Sequence, residues 1–376
     1  MKAKYYPILD SLRGISILWV IIHHIPVGYP KWLEFIRERG DLGVELFFAI
    51  SGILVTKSLI STFKRDQSKT QSIKEYFIKR ASRIFPPFYL TLAILFGLSF
   101  FVGSLGAKLN SISDIIFSFP TYTYNYAKYF TTGEIPGAFG IFWSLCFEEQ
   151  FYILLLLIFI SVPRKYLNKT LLVIIAGSVA MRIFGAITPV ENYYGKLQHY
   201  THLRLDAILL GSLAMFNYEK TSNFFSKYSF LTLASVGVLI FATINHNFTS
   251  ELNRSINFFF VSLGFTLLSL SALFGNTKDK LLTLLRKLVE NRVLISTGVI
   301  SYEIYLVHQL FNGILAKSPI KSNVWLYTVC LIGLSYAGAY LMHRYFSSPM
   351  NMFIRKKLLK QRYSQIGNSN VLVAEE

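Results

Sequence analysis

The sequence predicts an all-α fold, a polytopic bundle of about ten membrane-spanning helices, and three observations carry that prediction. Hydrophobic residues fill 53% of the 376 positions, aromatics 16% and charged residues only 15%, with a mean hydropathy of +0.43. That balance excludes the disordered and ordinary water-soluble classes. Apolar runs near twenty residues, the length that crosses a hydrocarbon core, recur along the chain. Between those runs gather most of the basic residues. A net charge of +18 would point to nucleic acid in a soluble domain, but here it orients helices in a bilayer, so no nucleic-acid partner is expected.

Taken in order, the runs predict helices over residues 8–26, 42–60, 84–103, 144–162, 170–188, 203–217, 228–245, 256–275, 294–316 and 324–346. The first is followed by no small-residue cleavage pattern and is read as a retained span. With the N-terminus inside, inner segments hold 24 Lys and Arg and outer segments 9, which predicts N-in and C-in topology. Residues 1–350 form one membrane domain, and 351–376 a basic, partly disordered inner tail. The outer connection 104–143, with FPTYTYNYAKYF, suits either a re-entrant, sugar-stacking surface or aromatics resting at headgroup depth. The connection 61–83 reads as a polar, basic inner segment. Cys146 and Cys330 lie in or beside apolar runs, so neither a disulfide framework nor a thiolate metal site is expected.

Several spans carry ionisable residues, which are costly in a membrane and point to function. Arg13 and His24 are eleven positions apart on the first helix, about three turns and roughly 16 Å of rise, so they share a face at two depths. Asp10 is placed to pair with Arg13. A snorkelling Arg13 and an interfacial His24 are the alternative. Under the predicted topology His24, Glu45, Glu148, Glu149, Arg204, Asp206 and His308 fall near outer ends, whereas Arg13, Arg80 and Arg83 fall near inner ends. Arg80 and Arg83, three apart at the entry to the third span, suit phosphates or a positive-inside anchor. A histidine beside a carboxylate has the parts for general-base chemistry. Ser301, Tyr305 and His308 share one face of the ninth span. Arg204 and Asp206 lie about 200° apart on a helix, so both face one cavity only if the helix begins between them. Glu148, unlike Glu149, shares a face with Tyr152. No ligand spacing for a metal is found.

The segments LDSLRG…HH, DLGVELFFAISGIL, FIKRASRIFPPFYL, FWSLCFEEQFY, HLRLDAILLGSLAMF and ISYEIYLVH, in this order, resemble the acyltransferase family 3 of integral membrane acyltransferases. The resemblance covers most of the chain. It implies transfer of an acyl group, most often acetyl from acetyl-CoA, to sugars of surface polysaccharides such as O-antigen, exopolysaccharide or peptidoglycan, in a bacterial inner membrane. No tightly bound cofactor is implied; an acyl-CoA is the co-substrate, and a glycan or lipid-linked saccharide the acceptor. Matched residue by residue, Arg13 and His24 are the Arg-x10-His motif, Glu45 the acidic position of the second helix, and Arg80 and Arg83 the Arg-x-x-Arg pair. Trp143 to Glu148 match WSL-x-x-E, Arg204 and Asp206 match R-x-D, and Ser301, Tyr305 and His308 match SY-x-IYL-x-H. The expected roles are catalysis for His24, Glu45, Glu148 and His308, with Glu45 holding His24, and donor binding for Arg13, Arg80 and Arg83. Substrate contacts fall to Trp143, Arg204, Asp206, Ser301 and Tyr305. Relatives often carry a Glu before the proline of the last helix, where this chain reads YFSSPMN. A transporter or flippase of lipid-linked sugars is the alternative class, disfavoured by the lack of an inverted repeat.

Overall fold

In the computed structural model the described residues are 5–26, 28–63, 68–101, 109–110, 112–131, 133–188, 196, 198–228, 230–244, 250–276 and 280–359, and they contain helices and turns but no strand. The principal helices are α1 (Pro7–His23), α2 (Lys31–Glu38), α3 (Leu42–Phe63), α4 (Lys69–Phe101), α5 (Phe142–Ser161), α6 (Arg164–Ile187) and α7 (Asp206–Phe216). They continue with α8 (Tyr218–Lys227), α9 (Phe230–Ile244), α10 (Glu251–Phe274), α11 (Lys280–Val289), α12 (Arg292–Val299), α13 (Ser301–Leu315), α14 (Val324–Met342) and α15 (Ser348–Leu358).

Six helical stretches among the described residues are long and apolar enough to cross a membrane, or eight if each of two bent pairs counts as one span. The expected count of about ten includes four segments that the structure draws differently. α7 has only 11 residues, about 16 Å of rise against a core near 30 Å, so it does not span by itself. α1 stops at His23 after 17 residues, with His24 as its C-cap. The run 294–316 is α12 and α13, bent by 78° at Ile300. α8 and α9 likewise meet at 94°.

Two boundaries move. The connection 61–83 is helical from Lys69 onward, so Arg80 and Arg83 sit inside the 33-residue α4 and not at its entry, with Pro86 and Pro87 farther along it. At the C-terminal end α14 runs through a single π turn, His343–Ser347, into α15. The division at residue 350 therefore falls within α15, whose Asn351 accepts a hydrogen bond from Ser82 Oγ at 2.8 Å. Arg355 donates to Ser82 Oγ and to the Lys79 carbonyl, each at 3.2 Å, and so fixes α15 on α4. Residues 360–376 lie outside the described ones.

Close helix approaches set the frame of the site. α1 packs against α12 where Gly14 faces the Leu294 carbonyl and Gly298 faces the Asp10 carbonyl, contacts that a Cβ would fill. α3 meets α7 in the same way at Gly52 and Gly211. About half of the aromatics of the 104–143 connection turn inward, and Tyr126, Tyr129 and Trp143 are half-buried. Phe119, Tyr124 and Phe139 are buried, and Tyr122 stacks on Phe88 with centroids 4.3 Å apart, whereas Phe117 and Phe130 stay exposed. Burying flat rings against the bundle removes more apolar area from water than leaving them at its rim.

Candidate active site

His24 and His308 converge from α1 and α13, with ring centroids 5.0 Å apart and planes at 57°. His24 Nδ1 stands 2.8 Å from the Val20 carbonyl oxygen. His308 Nδ1 stands 2.7 Å from the Tyr305 carbonyl oxygen. A carbonyl only accepts, so each Nδ1 holds the proton and each Nε2 presents a lone pair. His308 is fully buried and its Nε2 has no hydrogen-bond partner. Two imidazoles thus share one tautomer, set by their own helices, with basic nitrogens left over.

The end of α1 is held by α2, a segment that sequence patterning leaves as an outer connection. Trp19 Nε1 donates to the Ile36 carbonyl at 2.8 Å, and His23 Nδ1 to the Arg37 carbonyl at 2.9 Å. Arg37 in turn donates to the carbonyls of His23 and Ile25 and pairs with Glu34. A guanidinium at a helix C-terminus satisfies orphan carbonyls and meets the negative end of the dipole.

From the histidines a polar stripe runs along α5. Ser144 Oγ and Tyr305 OH are 2.6 Å apart, and Tyr305 OH donates to the Ile141 carbonyl at 3.2 Å. Glu148 accepts from Ser51 Oγ at 2.8 Å and from Tyr152 OH at 3.1 Å. The Arg80 guanidinium lies 5.1 Å over the Tyr152 ring. Ser144, Glu148 and Tyr152 are spaced i, i+4 and i+8, one face covering about 12 Å of rise. Through Ser144, Glu148 and Tyr152 a stripe of polar groups joins the level of Tyr305 to that of Arg80, linking the two expected depth clusters. Arg13 pairs with Asp10 at 3.6 Å as the spacing predicts. Arg83 is half-buried one turn beyond Arg80. Trp143 turns its ring edge-on to His199 at 4.7 Å and to Phe48 at 6.1 Å. Ser301 is buried and its hydroxyl has no partner.

Three expected site residues are engaged elsewhere. Glu45, expected to hold His24, forms a buried ion pair with Arg204. Asp206 is gripped by Arg182 through two hydrogen bonds of 2.8 Å, both residues having no exposure. Helix α7 does begin between Arg204 and Asp206, yet the two side chains serve different partners. Arg182, Ser51, Ser144 and Glu149 were given no role by sequence reasoning. The i+4 spacing of Ser144, Glu148 and Tyr152 was a usable signal; nothing local reveals the partner of Arg182. Among the described residues no three His, Cys, Asp or Glu side chains gather as a metal site, and both cysteines are free.

A family profile described as an acyltransferase domain, of the acyltransferase family 3, matches residues 6–344. The chain belongs to this family. Among relatives of this acyltransferase family, an O-acetyltransferase (OatA) of Staphylococcus aureus strain NCTC 8325 is 26% identical over 372 residues, which is 95% of this chain and 58% of that protein. A peptidoglycan O-acetyltransferase (OatA) of Listeria monocytogenes is 31% identical over 183 residues, 46% of this chain and 27% of the relative. The chain therefore spans little more than half the length of the staphylococcal relative. No solved structure matches it. Membership places the polar stripe in an acyltransferase domain and leaves the transporter alternative without support.

Proposed function

We propose that the chain is a membrane-embedded O-acyltransferase that moves an acetyl group from acetyl-CoA to a hydroxyl of a surface glycan. The observation that carries this reading is the pair of Nδ1-protonated imidazoles, His24 and His308, with their Nε2 lone pairs at one end of a stripe whose other end holds Arg80. Arg80 and Arg83, with Arg13, hold the donor's phosphates, for which guanidinium forks are suited. The excess of basic residues between the spans supports a cytoplasmic position for that end. The glycan acceptor follows the relative that is named a peptidoglycan O-acetyltransferase.

In the reaction, an acceptor hydroxyl gives its proton to His24 Nε2 while its oxygen bonds to the thioester carbon and the carbonyl π pair moves onto oxygen. Collapse of that intermediate reforms the carbonyl and breaks the C–S bond. The leaving thiolate takes the proton from the imidazolium, which returns His24 to its neutral tautomer with an ester and free CoA as products. His24 is assigned as the base because it is the less enclosed of the pair, and His308 keeps a neutral acceptor beside it. Glu45 has no part in orienting the ring; the Val20 carbonyl does that.

The test is transfer of labelled acetyl from acetyl-CoA by the purified protein in lipid nanodiscs to fractionated surface glycans. Ester-linked label on glycan, abolished in His24→Ala, is the expected result. Label that never leaves CoA with any glycan fraction would overturn the reading.

A further inference from the structure

One residue outside this account is under strain. Tyr122 is the only non-glycine with a positive φ among the described residues, at 55°, a left-handed conformation that costs a bulky residue energy and often marks function. Its ring is clamped against Phe88 at 4.3 Å and Phe85 at 5.6 Å, and its carbonyl accepts from Gln150 Nε2 at 2.7 Å. The strain delivers the hydroxyl to a buried place where it has no hydrogen-bond partner. Glu149, next to Glu148 and pointing about 100° away from it, shares the condition: its Oε1 is buried without a partner. Glu149 immediately precedes Gln150, whose side chain holds the Tyr122 backbone. Leaving such groups unmade is expensive in the interior.

The level of this pair along the stripe is informative. On α4 it lies just past Arg83, where Phe85 and Phe88 hold Tyr122 and the Ile84 carbonyl accepts from Tyr302 OH at 3.2 Å. Pro86 and Pro87 lie in the same stretch of α4 and lack an N–H to donate to the turn before them. On α5 it lies between Tyr152, at the level of Arg80, and Ser144, at the level of Tyr305 and the histidines. Anything joining phosphates at Arg80 to a thioester at His24 must pass that depth.

We propose that Tyr122 and Glu149 form a hydrogen-bonding station for a secondary amide of the donor's pantetheine arm, Glu149 Oε1 accepting its N–H and Tyr122 OH donating to its C=O. The proposal rests on the acyl-CoA reading. A secondary amide brings one donor and one acceptor on a rigid plane, which matches one orphan acceptor and one orphan hydroxyl.

Two ligands separate the parts: acetyl-CoA, and adenosine 3′,5′-bisphosphate, which has phosphates but no arm. Calorimetric titration of wild type, Tyr122→Phe, Glu149→Gln and Arg83→Ala in nanodiscs reads both. Tyr122→Phe keeps the stacked ring and Glu149→Gln the shape, and each is expected to weaken acetyl-CoA about tenfold while leaving the bisphosphate unchanged. Arg83→Ala should weaken both ligands. Unchanged acetyl-CoA affinity in the first two variants, as when only water joins the two groups, overturns the station, and so does equal weakening of both ligands. Failure of wild type to bind acetyl-CoA would instead count against the donor reading itself.

Discussion

The Arg182–Asp206 pair and the His24–His308 pair lie in one helical bundle, and the contrast between them separates scaffold from chemistry. Arg182 uses every arm of its guanidinium: Nε donates to the Ser255 carbonyl at 2.9 Å, Nη1 to the Leu203 carbonyl and Asp206, and Nη2 to Asp206. A buried charge that is fully paired ties α6, α7 and α10 together and has nothing left to offer a ligand. Each histidine keeps an Nε2 lone pair for a donor, and that of His308 is buried without a partner. The sequence shows ionisable groups in membrane spans in both places, but only in the second does the fold leave capacity unused.

Breaking the first region should be the most damaging change. Arg182→Ala strands a buried carboxylate and is expected to lower stability by about 3–5 kcal/mol, read as a loss of folded protein and of thermal midpoint in detergent. Arg182→Met combined with Asp206→Leu should regain most of that loss. An Arg182→Ala protein of unchanged midpoint but no turnover would place Arg182 in the chemistry and erase the contrast.

His24→Ala should do the opposite, cutting acetyl transfer by about 10²–10⁴ while the thermal midpoint stays near wild type. A comparable fall in midpoint would mean that the pair is also scaffold.

Glu45 sharpens the comparison, since sequence reasoning places it with the histidine and the fold places it with Arg204. Glu45→Gln is expected to cost roughly 2 kcal/mol of stability, with turnover per folded molecule preserved. Turnover lowered at full stability would return Glu45 to the catalytic group.

The smallest effect is expected at the clasp. Arg37→Ala removes the cation that caps α1 beside His24 and should cost about 1 kcal/mol with a several-fold slower transfer. Arg37→Lys should restore most of it, because an ammonium also meets helix carbonyls. No recovery in the lysine variant would show that the pairing geometry with Glu34 matters more than the charge.

Apolar run length, hydropathy and residue spacing determined the all-α membrane class, the positions of α3 and α5 to within three residues, the Asp10–Arg13 pair and the shared face of Tyr305 and His308. These are properties of consecutive residues, fixed by rise per residue and the cost of polar groups in lipid. Partner choice was decided by tertiary structure alone: Glu45 with Arg204, Arg182 with Asp206, and Ser144 with Tyr305 across 161 positions of sequence. The Glu45–Arg204 choice goes with the close approach of α3 to α7 at Gly52 and Gly211. A buried polar group takes the partner within reach, and no local pattern in the chain encodes that distance.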